Sequence, residues 1–375
     1  MAAAQGSSAD LTDKTSTSAP TTFDDQTLRM IVTPSVGGFA IRIHMSNRFG
    51  RAPIAIDAVT VGVRSDGAGV VAGSTVTVPF GGSTSVVVPA GEEAVSDPVT
   101  FNVIASTELS VSFHVTGTSA LDVHQTALMA DYATARGPQG NDDLESGDAF
   151  VHTLTASYGV TSVDVLAPAA TGVLVTLGDS ITDGIGSTPD ANQRWPDQLA
   201  RLLDGESVVN AAISGNRVAT DARPSTTAIG RAARNRVATD ALAVPGITDL
   251  LVFEGINDIT GARVPGDAVS AVIAGYRSIV TQAHAVGVRV IGATITPAGV
   301  NGPGESARLA INEWIRTSGV FDGVVDFDAA VRDPARRSTV RPEFDAYFAH
   351  LTDAGYAALA AAIDPGLVEG SACRA

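Results

Sequence analysis

Val173-Leu-Val-Thr-Leu-Gly-Asp-Ser-Ile-Thr-Asp-Gly184 changes character at its midpoint. Val173 to Leu177 are apolar or β-branched without a break, the pattern of a buried strand. Gly178 permits a sharp turn, and Asp179 and Ser180 follow where the strand must end. A serine just past the carboxyl end of a buried strand lies where open α/β sheets place their chemistry. The same three residues also read as a Ser/Asp turn capping the next helix. The sequence on either side has to decide.

Downstream, short apolar strands recur at Ser207–Asn210, Asp249–Phe253, Val288–Thr294 and Val324–Val325. Helical stretches separate them. Arg194–Leu203 puts Trp195, Leu199, Leu202 and Leu203 on one face, and Ala268–Ala285, Ser306–Thr317 and Thr352–Ile363 are similar. Strand and helix in alternation predict a parallel sheet with helices on both faces. Upstream, from about Leu28 to Val165, the period is two. Phe39–Met45 and Leu109–Val115 alternate apolar with polar or small residues, and Ile54–Val63, Ser74–Pro79, Ser83–Val88 and Val99–Val103 are further short strands. Gly-rich turns join them, which predicts an antiparallel β-sandwich. The boundaries expected are a disordered tail over 1–22, a jelly-roll-like sandwich over 23–170, the α/β domain over 171–368 and a tail over 369–375. No internal repeat is visible.

Composition sets outer limits. At 375 residues two domains are the default, and 45% hydrophobic residues is a globular value. A net charge of -16 makes nucleic acid and anionic membranes poor partners. No apolar run approaches a membrane span. Lys14 is the one lysine and Cys373 the one cysteine, so an internal disulfide and a cysteine metal cluster are excluded. His44 and His114 fall on the polar phase of their strands and read as solvated. His124 and His152 lack ligand-like spacing, so no metal and no cofactor is expected. Residues 1–22 have no basic start followed by an apolar core, hence no intact signal peptide. Secretion with the signal absent from this chain is the expected localisation, with the cytoplasm as the other option.

The polar residues at the strand ends carry the chemistry. The first strand ends in Gly178-Asp179-Ser180, the second runs into Asn210–Asn216 with Gly215, and the third ends in Gly255-Ile256-Asn257-Asp258. His350 precedes the last helix. In a parallel sheet these ends share one edge. A serine, a flexible glycine N–H, an asparagine amide and a histidine supply a nucleophile, oxyanion donors and a general base.

In order and spacing these four segments resemble the motif blocks of the SGNH/GDSL hydrolase family, over roughly Gly172 to Asp364. The chain as a whole resembles a bacterial two-domain subgroup with an amino-terminal β-sandwich, to which Asn47-Arg48-Phe49-Gly50 and Arg194-Trp195-Pro196 also fit. The resemblance implies a flavodoxin-like three-layer α/β/α domain and ester hydrolysis through an acyl-enzyme. Ser180 would be the nucleophile and His350 the base. The N–H groups of Ser180 and Gly215 and the amide of Asn257 would hold the oxyanion. Asn257 as a mere turn cap is the weaker reading.

The family usually carries an aspartate three residues before the histidine, and here that position is Tyr347. Three readings follow. Asp345 reaches Nδ1 of His350; or Tyr347 or a backbone carbonyl orients the ring of a Ser–His dyad; or the site is crippled and the fold binds a carbohydrate or a partner. The reading that follows is a serine esterase acting on short-chain or acetyl esters, of a small molecule or an acetylated carbohydrate, with the oligomeric state open. The arginine-rich segment Ala219–Arg236 reads as a solvated helix. The sandwich reads as a packing partner at least as well as a carbohydrate-docking module.

Overall fold

In the computed structural model the described residues are 3–10, 20–137, 145–167, 172–203, 205–223, 227–300 and 302–368. The chain forms two compact units, Met1–Pro168 with Pro224–Ala228, and Ala169–Arg223 with Ile229–Ala375.

The first unit is a sandwich of a larger and a smaller antiparallel sheet around its main core, with a third sheet of three short strands beside them. Phe23–Val32, Leu109–Ser119 and Ile54–Val63 run side by side in the larger sheet. Gly38–Ser46 is central to the smaller, with Val160–Val165 on one side and Glu93–Val95 and Val99–Val103 on the other. The period-two pattern does what it predicts in the smaller sheet. Ile41, Ile43 and Met45 are buried in the shared core with Leu28, Met30, Val111, Phe113 and Val115, while Arg42 and His44 are only half-buried. In the larger sheet the second face is covered too. Ser112 is buried there and accepts a hydrogen bond from Arg29 Nε at 2.8 Å, and Arg29 lies over the Phe150 ring.

Two expectations fail in this unit. The tail expected over 1–22 is structured over 3–10. Gly6–Ser7 pairs antiparallel with Asp122–Val123, and Ala3, Ala4 and Gln5 are buried, because an open strand edge there offers them backbone partners. Residues 11–19, with Lys14, and 369–375, with Cys373, lie outside the described residues. His44 is not solvated. Its Nε2 lies 3.0 Å from Asp164 Oδ2 and its Nδ1 3.3 Å from Glu93 Oε1, one carboxylate from the strand on each side. A polar phase beside two acidic edge positions becomes an ion-paired cross-link. Burial opposes its charge, but the hydrogen bonds to Asp164 and Glu93 outweigh that and raise its pKa to about 9.

The second unit holds five parallel strands, β1 (Gly172–Gly178), β2 (Glu206–Asn210), β3 (Ile247–Phe253), β4 (Arg289–Ala293) and β5 (Gly323–Val325). Their order across the sheet is β2-β1-β3-β4-β5, the flavodoxin-like order. Leu174, Val175 and Leu177 are fully buried, as are Leu250, Leu251 and Val290, since helices cover both faces. Trp195–Leu202 packs with Asp353–Ala361, and Pro265–His284 with Pro303–Thr317 and Ala233–Asp240. The strand order reverses at β1. The crevice this opens lies outside the carboxyl ends of β1 and β3, where the quoted serine was expected.

Candidate active site

β1 ends at Gly178 because nothing larger fits. A Cβ there would lie 2.2 Å from Thr182 Oγ1 and 2.7 Å from the Phe253 carbonyl. The chain then turns at once into the single helical turn Ser180–Asp183. Asp179 caps that turn, its Oδ1 accepting from the Ile181 N–H at 3.0 Å. Both earlier readings of Gly178-Asp179-Ser180 therefore hold together: Asp179 is the cap and Ser180 is left half-buried at the sheet edge.

Ser180 Oγ lies 2.8 Å from His350 Nε2. The histidine is delivered by a tight hairpin, Asp345–Tyr347 paired with His350–Leu351. The loop after the serine clasps that hairpin. A Cβ on Gly186, whose φ is +96°, would meet the Leu351 carbonyl at 2.7 Å, and Tyr356 donates its hydroxyl to the Ile185 carbonyl at 2.6 Å. Thr352 caps the helix Asp353–Ala361 directly behind His350, Oγ1 accepting from the Gly355 N–H at 3.3 Å.

The Asp345 expectation is not met. His350 Nδ1 is buried and has no hydrogen-bond partner among the described residues, and Asp345 is exposed. The hairpin register explains this: Tyr347 stands opposite His350, while Asp345 stands opposite Leu351. The Tyr347 ring meets the imidazole edge-on, centroids 4.8 Å apart. Of the other orienters considered, no carbonyl accepts from Nδ1 among the described residues, and Tyr347 contacts the ring by packing. Burial lowers the pKa of His350, with no carboxylate to offset it.

The oxyanion candidates converge from β2 and β3. Gly215 has φ +78°, and a Cβ on it would strike Ile229 Cγ2 at 2.7 Å. Its neighbour Ser214 is fixed to the serine turn, since Asp183 Oδ2 accepts from the Ser214 N–H at 3.0 Å and from its hydroxyl at 2.5 Å. Asn257 lies in the first turn of Ile256–Gly261, and its Nδ2 donates to the Asn216 carbonyl at 3.0 Å and to Asp179 Oδ2 at 3.4 Å. Asp258 ties the two blocks together by accepting from the N–H groups of Val218 and Ala219 at 2.8 and 3.0 Å.

Sequence reading missed what lies beneath. Arg236, placed in a solvated segment, is buried and donates to the carbonyls of Gly178 and Ala211 and to Asn216 Oδ1 at 3.1, 2.5 and 2.8 Å. Nothing in the alternation of its helix marks it as different from its exposed neighbours Arg231 and Arg234. Glu254 is buried with no hydrogen-bond partner for either carboxylate oxygen among the described residues. Burial drives its pKa well above the usual carboxylate range, with the charges of Asp179 and Asp258 adding to it against the pull of Arg236. Burial raises Asp179 as well, up to about 7, with Asp258 and Asp183 adding to it and the Ile181 N–H and Arg236 opposing. Among the described residues no group of three or more His, Cys, Asp or Glu is placed to hold a metal ion.

Residues 176–358 match the model of the GDSL-like lipase/acylhydrolase family. That match lies almost wholly within the second unit and spans most of it. No curated protein matches the chain. Among solved structures, the GDSL-like unit aligns with a carbohydrate acetylesterase from Sinorhizobium meliloti at 18% identity, covering 50% of this chain and 94% of that one, TM-score 0.38. A putative arylesterase from Agrobacterium tumefaciens gives 20% identity, 51% and 95% coverage and TM-score 0.38. A family two carbohydrate esterase from Cellvibrio japonicus aligns over both units, at 16% identity, with 92% and 89% coverage and TM-score 0.37. No helix among the described residues is long and apolar enough to cross a membrane.

Proposed function

We propose that the GDSL-like unit is a serine esterase for short-chain esters that works with a Ser–His dyad. The observation that carries this is the 2.8 Å contact between Ser180 Oγ and His350 Nε2 at the carboxyl edge of the sheet. Ser180 Oγ attacks the ester carbonyl carbon and its proton passes to Nε2. The tetrahedral adduct collapses, the C–O bond breaks, and the alcohol leaves with that proton. Water, deprotonated by the same nitrogen, then releases the acid and restores the serine. The N–H groups of Ser180 and Gly215 and the Asn257 amide receive the oxyanion. For Asn257 the weak 3.4 Å contact to Asp179 is the bond that gives way. Each such donor is worth about 3 kcal/mol at the transition state.

The dyad lacks the carboxylate that would stabilise imidazolium, and loss of that group costs up to about 10⁴ in turnover elsewhere. The unpartnered Nδ1 therefore favours one second reading, a binding protein that keeps the fold. Hydrolysis of p-nitrophenyl acetate beside Ser180→Ala separates the two. The esterase turns over and the variant sits at background. Equal background rates, with Ser180 unlabelled by a serine-directed phosphonate, leave the binder.

A further inference from the structure

Where an aspartate is missing, the hairpin offers two rings. Tyr347 and Phe348 form its tip, 56% and 55% exposed, and their centroids lie 4.8 and 6.3 Å from the His350 ring. Their neighbours Ala346 and Ala349 are small and uncharged, so the rings stand clear. Phe348 also has φ +54°, a conformation that a tight turn normally gives to glycine or asparagine. A strained, water-exposed phenylalanine beside a nucleophile contributes nothing to the hairpin that glycine would not.

We propose that Tyr347 and Phe348 form the subsite for the alcohol part of the ester, and that this alcohol is a pyranose. The inference rests on the esterase reading. His350 Nε2 hands its proton to the leaving oxygen, so that oxygen comes within hydrogen-bond reach of Nε2. Whatever the oxygen carries then extends past His350, toward the hairpin tip. The oxyanion donors Gly215 and Asn257 come from the loops after β2 and β3, not from the hairpin. An alkyl chain or lipid needs an enclosed apolar groove, whereas these rings are wet on more than half their surface. A pyranose matches them: its C–H face lies on an aromatic ring while its rim of hydroxyls stays in water. The Tyr347 hydroxyl gives the platform a polar end of the same kind.

The test compares three acetates, methyl 6-O-acetyl-glucopyranoside, phenyl acetate and ethyl acetate, on the full chain and on Phe348→Gly. Glycine suits φ +54°, so this variant folds without the strain. For the variant, kcat/KM for the sugar acetate relative to ethyl acetate falls about tenfold, the size of one aromatic contact, and the fall is in KM. Methyl glucopyranoside, a product of the reaction, loses potency as a competitive inhibitor by a similar factor. If the sugar-to-ethyl ratio is unchanged, the platform is not a subsite. If only the phenyl-to-ethyl ratio falls, the pyranose assignment is overturned. Failure of the esterase reading looks different: the unmodified chain hydrolyses none of the three and Ser180 takes no phosphonate, and the platform proposal falls with it.

Discussion

In the proposed mechanism His350 is a base with no carboxylate behind it. In a triad a carboxylate raises the imidazole pKa; here burial alone acts, and it lowers it. The base must be neutral to take the serine proton. A depressed pKa keeps it neutral as pH falls, so activity persists below the ordinary 6.5 before it declines. The pH profile of kcat/KM should accordingly show its acidic half-point under 6.5, and a half-point above it would mean that a carboxylate approaches the ring. Asp345→Asn addresses the same question directly. Because Asp345 is exposed and makes no hydrogen bond to His350, the variant should keep kcat within about twofold. A loss of several hundredfold would show that the aspartate reaches Nδ1 during catalysis.

The serine turn, the glycine loop and the start of the Asn257 helix are three separate elements, and each is short. None of them is stable alone. Arg236 holds the carbonyls at the ends of two of them from below, and Asp258 and Asp183 lace the loops together. Arg236 is also the buried cation facing Asp179, Glu254 and Asp240. Arg236→Met should cost about 3–5 kcal/mol, because it strands buried carboxyl groups and frees two carbonyls. Denaturant unfolding measures this. Glu254→Gln is the contrast. Burial favours the uncharged carboxyl, which the amide mimics, so its effect should stay near 1 kcal/mol or less. A large destabilisation by Glu254→Gln would show that the carboxyl is ionised and paired. The long elements were readable beforehand: Trp195–Leu202, Pro265–His284 and Pro303–Thr317 each show an apolar stripe at helical spacing. The solvated helix expected over Ala219–Arg236 instead carries the buried Arg236, because a buried arginine that binds carbonyls and an exposed one look alike in one dimension.

Across the whole molecule the charge balance is strongly acidic, and one cationic cross-link stands out in the sandwich. His44 joins the strands on either side of it through Asp164 and Glu93. Its folded pKa, about 9, lies above the ordinary 6.5, so the stability it contributes is fully present below pH 6.5 and is lost as pH rises through 9. That range is worth at most about 3 kcal/mol. The difference in unfolding free energy between the unmodified protein and His44→Gln should therefore be largest near pH 6 and shrink toward pH 9.5. A difference that does not vary with pH would mean that His44 is neutral in the folded state.

Hydrophobic period and the residues at strand ends fixed much of this protein without coordinates. The change from period two to alternating apolar strands and helices marked two architectures, since burial on one face or on both leaves that imprint directly on the chain. The blocks around Ser180, Gly215, Asn257 and His350 could be placed at one edge because a parallel sheet points all its carboxyl ends the same way. What remained undecided was everything set by register and by neighbours distant in sequence. Whether Asp345 or Tyr347 faces His350 depends on which residue the hairpin pairs across. Whether His44 is solvated depends on which side chains the flanking strands bring beside it. Whether Arg236 is solvent-exposed or a buried brace depends on which carbonyls end beneath it. These are pairings between residues up to 120 positions apart, such as His44 and Asp164, and only the packed chain brings them together.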